Sequence, residues 1–401
     1  MVAGLATPES IVNRDEKLEK AGVRVVLGKA TAIDAAAKKL TLEDGQQLAY
    51  DKLVLGTGAE PFVPPLPGRE LDGVFVMRCL HHAEAIRTFL AERKPKRLVF
   101  VGAGFISLEV AVLLQDADPS YEITIVELLD HPLPLMLDAE MAAPISRCLE
   151  QRNCKLEMGR KATRLLGRDG RVAGVELDSG VTVDADMVFM NVGARPALDL
   201  ARTAELEMGE YGLKVNDYLE TSDPDILAGG DIVDKRHIVT GRVTPGQLRG
   251  PAVIMGRAIA KRLAGFDVPF PGVLNASACS LVDRHVAATG LTEEQAAAAG
   301  IDPVSATVDT RSKHGMIPGC ADWTLKLVFD RATEKLIGGQ IVSCAIAPVK
   351  EIDAVSALIL GGKTAAELTT FLAAGNPDCS SEPSLEPITI AGEQALQQLR
   401  R

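Results

Sequence analysis

Short apolar runs separated by glycine, proline and polar breaks predict the elements of this chain. Leu98, Val99, Phe100 and Val101 form a buried strand that runs directly into Gly102-Ala103-Gly104. The apolar stretch from Phe105 to Leu114 then continues as a helix. A second strand covers 122–126 and ends at Glu127. Ahead of these, Thr7-Pro8 reads as an N-cap with proline at the first helical position, opening a short helix to Lys20 that Gly22 closes. Residues 23–27 predict a strand. Strands around Ala32 and over 40–42, flanking Glu43-Asp44-Gly45, predict a small antiparallel meander. Beyond Glu127 the pattern predicts a helix over 139–151 and a meander over 155–183, with hairpin turns at 168–171 and 178–180. A helix follows over 251–263. After Asn275 the character changes to strands near Val286, over 323–329 and over 335–342. Two capping boxes open helices there, at Thr292 and Thr364.

A strand, a glycine turn and a helix are the parts of a phosphate-binding element. Gly102 permits the tight turn, and Gly104 lets the backbone approach a pyrophosphate. The helix N-terminus offers free N–H groups and a partial positive charge. Ser107 stands at the third glycine position and is small enough for close helix–strand packing. Glu127 lies where an acid about 20 positions beyond the turn holds a ribose 2′-hydroxyl. Leu128, Leu129 and Asp130 follow it, with no arginine for a 2′-phosphate, which favours NAD over NADP.

Two strand ends repeat a pattern, Thr57-Gly58-Ala59 and Val192-Gly193-Ala194, and suggest two related nucleotide-binding units. A third strand ends in Gly229-Gly230-Asp231, where bare backbone admits a ligand and the carboxylate accepts from sugar-like hydroxyls. The helix after Gly250 presents another N-terminus that favours negative charge.

Length and composition narrow the class. The 401 residues predict two or three domains, and 47% hydrophobic with 24% charged residues suits a soluble globular protein. The net charge of -11 argues against nucleic-acid and anionic-membrane surfaces. No run of about 18 apolar residues suggests a membrane helix, and the N-terminus lacks the pattern of a signal peptide. Seven scattered cysteines without a C-x-x-C pair suggest a reducing, cytoplasmic compartment. The six histidines show no metal-ligand spacing, so no metal site is expected. Cys148 and Cys154 read as structural thiols.

The stretches DKLVLGTGAEPFVPPLPG, VFVGAGFISLEVAVLL, TSDPDILAGGDIVD and LKLVFDRATEKLIGGQIV, in this order, resemble the pyridine nucleotide–disulfide oxidoreductases, in particular the NADH oxidase and coenzyme A-disulfide reductase branch. The resemblance implies an α/β fold with two Rossmann-like domains, the FAD domain interrupted by the NAD domain, and a C-terminal α+β dimerisation domain. The implied boundaries are 1–94 with 213–272 for FAD, 95–212 for NAD and 273–401 for dimerisation. It further implies FAD and NAD as cofactors, a homodimer, and hydride transfer from NADH to flavin and on to a disulfide, oxygen or another small-molecule or protein acceptor. Gly102, Gly104 and Glu127 are the implied NAD contacts, with Phe105 and Glu109 lining the nicotinamide and Ile106 beside them. Thr57, Gly58, Gly193, Gly230 and Asp231 are further implied cofactor contacts, Asp231 holding the flavin ribityl chain.

Two departures qualify this expectation. The family's first strand and FAD glycine turn precede everything matched here, so the FAD domain is expected to be incomplete at its N-terminus. The redox cysteine of the closest branch belongs to that same segment, which leaves the catalytic residues unassigned. More distant relatives carry a His-Pro acid–base pair where this chain has Asn376-Pro377, and asparagine cannot shuttle protons. Cys379 beside it is a candidate thiol. The alternative expectation is a truncated, non-catalytic NAD-binding or interaction protein that cannot hold FAD.

Overall fold

The computed structural model describes residues 1–12 and 15–401. Contacts gather them into two units, Met1–Phe62 with Gly193–His237 and Gly241–Val273, and Val63–Val192 with Ile238–Thr240 and Leu274–Arg401.

The second unit carries a five-stranded parallel sheet. Its order is Val74–Phe75, Met187–Met190, Arg97–Val101, Glu122–Val126 and Lys155–Glu157. Apart from Arg97, Glu122 and Thr124, its central strands are apolar, as coverage of both faces requires. Phe100 and Phe189, both fully buried, stack at 4.3 Å between ring centroids. Arg97 fixes the start of its strand by pairing with Asp186, whose carboxylate also accepts from the Lys96 and Arg97 N–H groups. Lys155–Glu157 belongs to this sheet and not to the meander, because it pairs in parallel with Glu122–Val126. The meander is Ala162–Arg168, Arg171–Leu177 and Thr182–Asp184.

An antiparallel sheet forms the rest of this unit, in the order Ser277–Ser280, His285–Gly290, Leu336–Ser343, Asp322–Asp330 and Pro303–Arg311. The first and last of these strands are absent from the sequence expectation. Both are rich in Ser, Thr and Ala, so neither shows as an apolar run. Pro303–Arg311 nevertheless alternates strictly, with Val304, Ala306, Val308 and Thr310 buried. Helices Glu351–Leu360 and Pro387–Leu399 supply Ile352, Val355, Ile388 and Ala391 to the core on this sheet. Both expected capping boxes form, at Thr292 and Thr364.

One charge crosses that core. Lys326 is fully buried, and its ammonium pairs with Asp138 at 2.8 Å and with Glu140 and Glu293. Burial alone would raise the Asp138 carboxyl. Hydrogen bonds from Lys326 and Gln340, with the Lys326 charge, outweigh it and hold the group below its ordinary range. The three carboxylates could together hold a cation, and the Lys326 ammonium occupies the space between them.

The first unit is built from small sheets. A three-stranded meander runs Ala30–Asp34, Lys39–Leu42 and Gln47–Ala49, with the 43–45 turn between its last two strands. Leu53–Leu55 pairs in parallel with Ile226–Ala228, and Ala59–Pro61 pairs antiparallel with Ala194–Pro196. Helix Arg249–Leu263 packs Met255 and Ile259 into the core with Leu55 and Ile226. The N-terminal expectations need correction. There are two short helices, Pro8–Ile11 and Glu16–Lys20, and Asn13 and Arg14 lie outside the described residues. Residues 23–27 are no strand; among the described residues no strand pairs with them, and Leu27 is exposed. Among the described residues no helix is long and apolar enough to cross a membrane.

Lys326→Met leaves Asp138 buried without its cation and should cost about 3–5 kcal/mol in urea unfolding. The depressed Asp138 carboxyl contributes stability above its unfolded pKa and loses it as pH falls through the lower folded value. Wild-type stability should therefore decline below roughly pH 4. Asp138→Asn should remove that part of the decline.

Candidate nucleotide-binding site

The glycine turn is fixed by its neighbours in the parallel sheet. Because Met187–Met190 lies beside Arg97–Val101, the backbone of Asn191 passes against Gly102. Gly102 sits at φ +98°, and a Cβ on it would lie 2.5 Å from the Asn191 carbonyl oxygen. Only glycine fits there. The Asn191 amide joins two further elements, accepting from Met77 N–H at 3.2 Å and donating to Ser107 Oγ at 3.3 Å. Ser107 is fully buried, as its place at the helix–strand contact requires.

Gly104 behaves differently. A Cβ there would meet nothing within 4 Å among the described residues, so the glycine leaves open space over the backbone. Gly104 is also the N-cap of helix Phe105–Ala117 and makes no side-chain cap. The first N–H groups of that helix, from Phe105 and Ile106, follow this open position and have no intrahelical partners. That combination fits a pyrophosphate.

Ala103 is held at both ends. Its N–H donates to Glu127 Oε2 at 2.7 Å, and its carbonyl accepts from Leu133 N–H at 3.0 Å. Glu127 Oε1 accepts from Leu129 N–H at 3.0 Å. Glu127 is thus brought to the glycine turn with both oxygens fixed by backbone donors. Glu109, one turn into the helix, accepts from Ser280 N–H at 3.1 Å. Burial raises its pKa, and the Ser280 bond opposes the rise. Sequence reasoning missed Asn191 and Leu133. An amide directly after the apolar run 187–190 was the available signal for the first; Leu133 acts through its backbone and left none.

In the first unit, the two repeated strand ends meet each other. Ala59–Pro61 and Ala194–Pro196 pair with Ala59 opposite Pro196. Thr57 Oγ1 donates to the Ala197 carbonyl at 2.8 Å, and Ala197 N–H donates to the Gly58 carbonyl at 3.0 Å. Gly58 and Gly193 both take positive φ, +71° and +116°, and a Cβ on Gly193 would meet nothing within 4 Å among the described residues. Arg195 stacks on the Phe62 ring at 3.8 Å.

Gly229 and Gly230 divide their work. A Cβ on Gly229 would lie 2.9 Å from Ile259, so this glycine admits helix Arg249–Leu263 and not a ligand. Gly230 at φ +83° starts the one-turn helix Gly230–Ile232 that carries the half-exposed Asp231. The Arg249–Leu263 helix has no side-chain N-cap. An open strand end, an acid on a tight turn and an uncapped helix N-terminus fit the polar chain and electron-rich edge of a flavin.

The profile described as pyridine nucleotide-disulphide oxidoreductase matches residues 2–249, and that family's dimerisation-domain profile matches residues 276–384. The chain belongs to this oxidoreductase family. It is similar to an NADH oxidase of Methanocaldococcus jannaschii, with 33% identity over 380 residues covering 93% of this chain and 83% of the relative. It is similar to the NAD(P)H sulfur oxidoreductase (CoA-dependent) of Pyrococcus abyssi, with 30% identity covering 91% and 81%. The solved structure of a NAD-dependent persulfide reductase from A. fulgidus superposes with a TM-score of 0.92 at 29% identity, covering 99% of this chain and 75% of that one. Membership makes this oxidoreductase a flavin- and pyridine nucleotide-dependent enzyme with a dimerisation domain.

Its buried thiols are not nucleophiles at neutral pH. Burial, with Asp283 adding to it at Cys148, pushes Cys148 and Cys154 up to about 11. Burial and then the Glu109 charge push Cys279 up to about 12. Cys379 is exposed on a loop, where its N–H donates to the Asn376 carbonyl at 3.1 Å.

Gly102→Ala forces both a left-handed backbone and a collision with Asn191. It should cost about 2–4 kcal/mol in chemical unfolding, whereas Gly104→Ala should leave unfolding within about 1 kcal/mol of wild type.

Proposed function

We propose that this enzyme oxidises NADH at the cradle formed by Gly102, Gly104, Phe105, Ile106 and Glu127. The electrons then pass through flavin to a disulfide, persulfide or oxygen acceptor. The observation that carries this reading is the open backbone at Gly104 beside the backbone-held Glu127 carboxylate. The Phe105 and Ile106 N–H groups take the pyrophosphate, and Glu127 takes the adenosine ribose hydroxyls. Glu109 and Phe105 line the nicotinamide. Thr57, Gly58, Gly193, Gly230 and Asp231 form the flavin side, with Asp231 holding polyol hydroxyls and the Arg249–Leu263 N-terminus facing negative charge. When bound, FAD supplies a two-electron acceptor for the NADH hydride and a donor for the terminal acceptor. We assign residues 95–212 to NAD, 1–94 with 213–272 to FAD and 273–401 to dimerisation, the working form being a homodimer. The scattered cysteines support a cytoplasmic setting.

Purified protein should be yellow, and anaerobic NADH should bleach its visible flavin bands; a colourless protein that gains no colour with added FAD contradicts the reading. Glu127→Arg should weaken NADH binding about tenfold or more and improve NADPH binding. An unchanged coenzyme preference removes Glu127 from the ribose site.

A further inference from the structure

The segment from Leu128 to Asp138 joins the cradle to the antiparallel sheet. At its start, Leu129 N–H donates to Glu127 Oε1 at 3.0 Å and its carbonyl accepts from Gly159 N–H at 2.8 Å. At its middle, Leu133 donates to Ala103, the central residue of the glycine turn, from a left-handed backbone at φ +55°. Leu133 and Leu137 are buried, so the segment is packed as well as bonded.

Its far end is tied to a different part of the unit. Asp138 N–H donates to Gln340 Oε1 at 2.8 Å, and Gln340 Nε2 donates back to Asp138 Oδ2 at 2.5 Å. The same carboxylate accepts from the N–H groups of Glu293 at 3.2 Å and Glu294 at 3.3 Å, besides pairing with Lys326. Gln295 Nε2 reaches the Leu135 carbonyl at 3.3 Å. Five residues of the C-terminal region thus grip one end of a segment whose other end shapes the glycine turn.

We propose that Asp138 and Gln295 are positioning residues for NADH: they hold the 128–138 segment as a strap that sets the Ala103 peptide and the Glu127 carboxylate in their binding geometry. Neither side chain bonds to the glycine turn itself. Each acts through the backbone of the strap, so loosening either end costs affinity while the nicotinamide and flavin surroundings stay as they are. The consequence is that the state of the C-terminal sheet is felt at the adenosine end of the coenzyme. This inference rests on the proposal that the cradle binds NADH.

The test follows the anaerobic flavin-bleaching rate of the flavin-loaded protein against NADH concentration, reading affinity from the half-saturating concentration, in wild type, Gln295→Glu and Asp138→Asn, with hydrogen exchange followed over 128–137. Gln295→Glu keeps the oxygen that accepts from Thr292 N–H in the capping box and turns the donor to Leu135 into a charged oxygen facing that carbonyl. It therefore decides the matter should Asp138→Asn melt early. Both variants should weaken NADH binding roughly three- to tenfold, as the loss of one or two hydrogen bonds predicts. Exchange over the strap should quicken, and the flavin-bleaching rate at saturating NADH should stay at the wild-type value. Unchanged affinity in Gln295→Glu, or a slower saturated rate at unchanged affinity, overturns the strap. Wild-type affinity in Glu127→Ala overturns the cradle itself, and the strap with it.

Discussion

The binding half of this molecule depends on one close passage of backbone, Gly102 against Asn191. A parallel sheet puts strand ends side by side, and the strand order here sets Met187–Met190 next to Arg97–Val101. The residues that leave those strands must share the same small space. Gly102 yields it by having no side chain. Asn191 then spends its amide on Met77 and Ser107, which fixes the start of the helix whose N-terminus Gly104 leaves open. A turn, a helix start and an anion-ready backbone all follow from that packing constraint.

Where the chain is apolar and short-ranged, the sequence was informative. The strands around Phe100, Ile125 and Phe189 are buried parallel strands, and their runs of Val, Ile, Leu and Phe needed no partner to be read. The helix boundary at Gln151 and both capping boxes are written in local residues. What failed to show depended on tertiary pairing. Residues 23–27 have strand-like composition but pair with no strand among the described residues. Pro303–Arg311 has an unremarkable composition and becomes a strand because Asp322–Asp330 pairs along its full length. Lys155–Glu157 is too short for its own pattern to tell parallel from antiparallel company.

The site follows the same division. Gly102, Gly104 and Glu127 stand out in the sequence because the proposed cradle needs particular residue types at fixed spacing, and the structure brings Glu127 to the glycine turn. The repeat at Gly58 and Gly193 was visible as two copies, yet their pairing with each other is a property of the fold. Gly229 shows the limit of motif reading: in a Gly-Gly-Asp run, one glycine serves a helix contact and its neighbour serves the turn.

In the proposed cradle the Glu127 carboxylate is itself the group that would discriminate between coenzymes. Both of its oxygens already accept from backbone N–H groups, Ala103 on one side and Leu129 on the other. Those donors remove the side chain's freedom to turn away. Each carboxylate oxygen retains a lone pair for a ribose hydroxyl, which donates without strain. A 2′-phosphate brings only acceptors and a second negative charge to the same place. A mobile acid could swing aside for it; one pinned by two peptide groups cannot, so the repulsion persists in full. On the proposed reading, a preference for a free ribose is a product of rigidity as much as of charge, and the rigidity comes from the turn the carboxylate itself helps to hold.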